Sequence, residues 1–170
     1  MTLKPLLFSL CLLGFSGGPP PEPAVSQDRV PNFTLPDLEG RPTRLSDVMG
    51  ENLTLIDFWA TWCGPCVKSI PSLVALSDSL MDLGVSVVGV NVDSPRNVSK
   101  VAPYARSLGV EYPVLLDTNS EVMADLNVQA MPTLLVIDAK RNIVFAHEGF
   151  RPGDEAVVRR EILDLLSGDS

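Results

Sequence analysis

The sequence predicts an α/β fold built on a mixed central β-sheet flanked by helices. Two apolar runs carry most of that reading. Leu53–Trp59 is followed at once by a helical pattern, and Val85–Val92 is β-branched and almost uninterrupted, as in a strand covered on both faces. From there to the C-terminus strand-like and helix-like segments alternate, the order of a sheet with helices packed across it. The chain has 170 residues, 45% hydrophobic and 20% charged, enough for one domain that buries most of its apolar surface without covalent staples.

Residues 1–16 stand outside that domain. Lys4 precedes an apolar run from Leu6 to Phe15, and the small residues Ser16, Gly17 and Gly18 follow, the order of a secretory signal peptide. As a helix the run spans roughly 16 Å against a hydrocarbon core of roughly 30 Å, too short for a stable membrane anchor. Leu10 stands before Cys11, where a lipoprotein signal carries a small residue. The mature protein is therefore expected to be exported, to the bacterial periplasm or another extracytoplasmic face. Residues 17–27 hold four prolines between positions 19 and 23 and read as an extended linker. Residues 28–170 read as one domain.

Within it, Asn32–Leu35 and Thr43–Leu45 flank Leu-Glu-Gly-Arg, a plausible hairpin. After the strand Leu53–Trp59, residues 64–82 place Val67, Ile70, Leu73, Leu76 and Leu80 at helical spacing. Residues 97–108 read as a helix, 113–116 as a short strand and 120–126 as a further helix. Thr133–Ile137 is a buried strand, Asn142–Glu148 follows a turn, and the last helix covers about 154–167.

Charge narrows the partners. Thirteen basic residues against 21 acidic ones give a net charge of -8, the wrong sign for nucleic acid or an anionic membrane surface. Three cysteines cannot form a disulfide scaffold, and Cys11 leaves with the signal segment. Cysteine chemistry must therefore be local.

It is local at Trp62-Cys63-Gly64-Pro65-Cys66, where the first buried strand gives way to its helix. Two cysteines three apart at a helix start lie on one face, close enough to bridge. Cys63, at the N-terminus, meets the positive end of the helix dipole and unpaired N–H groups, which lower a thiol pKa. Cys66, one turn further in, is expected to be more buried and less acidic. Cys63 is thus the attacking thiol and Cys66 the resolving one. Pro65 fits the first turn, where its missing N–H costs nothing.

The segment Phe58-Trp59-Ala60-Thr61-Trp62-Cys63-Gly64-Pro65-Cys66 resembles the thioredoxin active site, and Met131-Pro132-Thr133 resembles that family's cis-proline loop. Pro71 matches the proline that bends the family's first long helix. The span between Asp93 and Pro132 has room for a central helix–strand insertion. That insertion, the N-terminal hairpin and the export signal together resemble the extracytoplasmic thiol–disulfide oxidoreductases of the TlpA/ResA type.

The resemblance implies a thioredoxin fold and a set of roles. Cys63 and Cys66 form the redox-active disulfide. Asp57, a carboxylate within an apolar strand, matches the buried aspartate that accepts a proton from the resolving cysteine; burial should raise its pKa. Trp62, Gly64, Pro65, Met131 and Pro132 would contact substrate, the backbone before Pro132 pairing with an extended client. Gly89 stands where thioredoxins usually place a lysine near this aspartate.

The chain is expected to act as a monomer, without metal or cofactor. Its partners are expected to be disulfide-containing client proteins and a membrane thiol-electron donor. Two alternatives stay open: a disulfide oxidant or isomerase with the same dithiol, and a Sco-like copper-handling protein that recruits the distant His147. The Sco family spaces its cysteines one residue further apart. Cys63 and Cys66 as half a zinc site would find only His147 as a further soft ligand in the mature chain. A peroxiredoxin is disfavoured, since Ile56 and Ala60 occupy the places of its Pro and Thr.

Overall fold

The computed structural model describes residues 29–168, so the expected signal segment and linker lie outside the described residues. The domain opens with a small hairpin, β1 (Thr34–Pro36) and β2 (Pro42–Arg44). Then come β3 (Leu53–Trp59), α1 (Gly64–Leu80), β4 (Val85–Asn91), α2 (Val101–Ser107), β5 (Val114–Leu116) and α3 (Glu121–Asp125). β6 (Thr133–Asp138), β7 (Ile143–Glu148) and α4 (Asp154–Ser167) complete it.

Five strands form one mixed sheet in the order β5-β4-β3-β6-β7. β3 runs parallel to β4 and antiparallel to β6, which places it at the centre with every residue buried. Side chains alternate across a strand, so β3 serves two cores. Leu53 and Leu55 pack with Leu73, Leu76 and Leu80 of α1 and with Val158 and Ile162 of α4. Ile56 and Phe58 join a second cluster with Val101 and Ala105 of α2 and Val122 of α3. The hairpin is held to the sheet edge by a bridge between Asp37 and Leu115.

The expected elements are present, with differences of local origin. The segment expected as one helix over 97–108 begins as a single 3-10 turn at Val98–Lys100 before α2. α1 stops at Leu80 and tightens into a 3-10 turn that ends on Gly84 in the left-handed conformation (φ 71°). α1 continues through Pro71, whose missing N–H leaves the carbonyl of Val67 without its helical donor. The insertion between Asp93 and Pro132 holds α2, β5 and α3.

Candidate active site

β3 delivers the chain to a short turn, Ala60-Thr61-Trp62, and α1 begins directly after it. The turn is fastened from the neighbouring strand. Asp93, buried just past β4, accepts the Thr61 N–H at 2.7 Å, the Thr61 hydroxyl at 2.7 Å and the Asn91 amide at 3.0 Å. Val92 donates its N–H to the Trp59 carbonyl at 3.0 Å.

Cys63 caps α1. Its backbone is extended and its Sγ accepts the Cys66 N–H at 3.3 Å. Gly64 and Pro65 form the exposed first turn, and Cys63 and Cys66 are joined as a disulfide with their Cα atoms 5.3 Å apart. Cys66 is fully buried. Cys63 is 7% exposed, more covered than the sequence suggested, because it packs into the apolar cluster that includes Trp59 and Ile70. It is still the residue of the pair that keeps some contact with solvent. Trp62 beside it is 62% exposed and Trp59 is buried.

The Met131–Pro132 peptide is cis. Met131 packs against the apolar cluster that also contains both cysteines. Pairing between β3 and β6 starts at Phe58 and Thr133, which leaves the Met131 backbone outside the ladder. The Pro132 carbonyl accepts the Gly149 N–H at 2.7 Å.

Asp57 lies on the side of β3 that α1 covers, fully buried, and neither carboxyl oxygen has a hydrogen-bond partner. Burial pushes its pKa up to about 7. Across the parallel ladder its register partner is Gly89.

His147 sits on β7, its Nε2 3.0 Å from Asp154 Oδ2 at the start of α4. The Arg151 backbone N–H and then His147 hold the Asp154 carboxyl below its ordinary value. Among the described residues, no three or more His, Cys, Asp or Glu side chains gather as a metal site.

Sequence reasoning missed two residues here. Asp93 anchors the turn before Cys63; a lone carboxylate closing an apolar run was its only signal. Tyr112 places a buried hydroxyl, also without a partner, near Asp57, and burial followed by the Asp57 charge pushes its phenol pKa above the ordinary range.

Residues 25–162 match the Redoxin family model. The chain is 38% identical to the thiol-disulfide oxidoreductase ResA of Geobacillus thermodenitrificans over 109 residues, which cover 64% of this chain and 60% of that protein. It is 34% identical over 122 residues to the thioredoxin-like protein YneN of Bacillus subtilis, covering 71% and 70% of the two chains. Among solved structures it resembles a Chlorobium tepidum chain assigned as a thiol:disulfide interchange protein DsbE. That match has a TM-score of 0.74 and 32% identity, with 82% of this chain and 96% of that one covered. The match spans about 60% of the length of the ResA relative.

Proposed function

The chain belongs to the redoxin family, and on that footing we propose that it is a thiol–disulfide oxidoreductase that reduces disulfides in exported proteins. One observation carries the reading: a bridged Cys63–Cys66 pair at a helix start, with Cys63 as the cap and the less buried residue of the two. In the reduced protein the Cys66 N–H and the positive helix end favour Cys63 as thiolate.

Cys63 attacks one sulfur of a client disulfide. A Cys63–client bond forms, the client S–S bond breaks, and the departing sulfur leaves as a thiolate that takes up a proton. Cys66 then gives its proton to Asp57 and attacks Cys63 Sγ. The Cys63–Cys66 bond forms as the mixed disulfide breaks, releasing the second client thiolate. Two electrons have passed from the dithiol to the client, and an external dithiol donor, which we place in the membrane, restores the reduced pair. Trp62, Gly64, Pro65 and the Met131–Pro132 backbone form the surface on which an extended client lies. Met131 suits that task because it borders β6 outside the strand ladder.

The reduction potential of the Cys63–Cys66 pair tests the direction. A value near the about −270 mV of a reducing thioredoxin is expected. A value near the about −120 mV of a strong disulfide oxidant would turn the reading around, each 30 mV being about tenfold in the equilibrium.

A further inference from the structure

Among the described residues, four buried side-chain polar atoms lack a hydrogen-bond partner: Asp57 Oδ1 and Oδ2, Trp59 Nε1 and Tyr112 OH. Three residues share them, and Gly89 brings the three together. Gly89 is the register partner of Asp57 on β4. A Cβ on Gly89 would stand 3.1 Å from Trp59 Nε1 and 3.4 Å from Tyr112 Cε2, the ring atom next to the carbon bearing the hydroxyl. Trp59, two residues beyond Asp57, projects to the same side of β3. A side chain at position 89 would press on both rings, and glycine lets them approach the strand beside Asp57.

The chemistry of the four atoms is complementary. An indole N–H only donates, a phenol can donate, and an ionised carboxylate only accepts through two oxygens. Unmet polar groups at such depth are costly, whereas two donors serving two acceptor oxygens lower the cost for all four atoms.

We propose that Tyr112 is a positioning residue for Asp57: with Trp59 it donates hydrogen bonds, relayed by a bridging water, that hold Asp57 in its ionised, proton-accepting form. The inference rests on the dithiol reading above and assigns to Tyr112 the support of its base. Other titratable groups are few around Asp57. Its sheet neighbours are Gly89 on β4 and Leu134 on β6. α1 carries Cys66 as its buried titratable group, with Lys68 and Asp78 exposed, and α4 presents Val158 and Ile162. The segment before β5 contributes Tyr112 beside exposed Glu111, and His147 is two strands away on β7, paired with Asp154.

The test is the titration of the Asp57 carboxyl carbon by NMR in the reduced full chain, with Asp57→Asn to assign the signal. Tyr112→Phe keeps the ring and removes the hydroxyl. The Asp57 midpoint is expected to rise by about one pH unit, the effect of one hydrogen bond to a charged group. The pH profile of client reduction should move up with it, while the rate on the alkaline plateau stays close to wild type. Gly89→Ala is the second variant, since its backbone suits any residue and its methyl would push the Trp59 indole and the Tyr112 ring away by a few tenths of an ångström; it should raise the midpoint too and carries the test if Tyr112→Phe does not fold. An unchanged or lowered midpoint in the folded variants overturns the inference. Wild-type turnover in Asp57→Asn instead overturns the base reading of Asp57, a separate outcome.

Discussion

The Cys63 sulfur accepts the backbone N–H of Cys66 at 3.3 Å, so the first thiol caps the helix that holds the second. That N–H, the helix N-terminus and the 7% exposure all favour Cys63 over fully buried Cys66 as the reactive thiolate. Iodoacetamide added to the reduced protein near neutral pH should label Cys63 roughly tenfold faster than Cys66, read by peptide mass spectrometry. Equal rates would contradict the division between attacking and resolving thiols.

Asp57 makes stability depend on pH in a defined direction. Its value of about 7 in the folded protein lies above the ordinary 3.8. Between these values the folded protein holds a proton that the unfolded chain has released, so stability falls as pH rises from about 4 to about 7, and the full cost persists above 7. In the oxidised protein, Asp57→Asn should be more stable than wild type by on the order of 3 kcal/mol at pH 8 and nearly equal to it at pH 4. Urea unfolding at both pH values reads the difference. A gap that does not change with pH would show that burial does not raise the Asp57 pKa in the fold.

Much of this was legible because local pattern and local chemistry agree. Leu53–Trp59 and the spacing from Val67 to Leu80 gave β3 and α1 by periodicity, and Cys-x-x-Cys at their junction needed no long-range information. Asp57 stood out as a charge inside an apolar run. Tyr112 did not, since Glu-Tyr-Pro between two elements has no period. Its place near Asp57 follows from the pairing of Gly89 with Val114, a matter of register between distant strands. Asp93 finds Thr61 across 32 residues for the same kind of reason. The cover over Cys63 is equally a tertiary effect, produced by packing rather than by its helix position.

Trp62 is an exposed aromatic ring next to a reactive sulfur, with 62% of its surface in solvent. An apolar face of that size has little to do for folding, so Trp62→Ala should change stability by no more than about 0.5 kcal/mol. For a protein client the variant should raise KM several-fold with kcat nearly constant, because binding area is lost and the dithiol is untouched. Reduction of a small-molecule disulfide should hardly change. Equal losses on both substrates would place Trp62 in support of the dithiol rather than in client contact.

The resolving role of Cys66 gives the most direct test of action on protein disulfides. Reduction passes through a covalent complex between Cys63 and the client, and Cys66 is the thiol that ends it. Cys66→Ser keeps the Cys63 cap position, the helix start and the Met131–Pro132 loop, and a serine hydroxyl fits the buried site with little change of volume. Expressed in its native compartment with thiols blocked at lysis, the variant should accumulate bands of higher mass that collapse when reductant is added. Cys63→Ser should trap far less, because the remaining sulfur is fully buried. The trapped proteins, identified by mass spectrometry, would define the client class. If Cys66→Ser gathers no client while the protein with both cysteines binds copper stoichiometrically, the dithiol handles metal and the reductase reading falls.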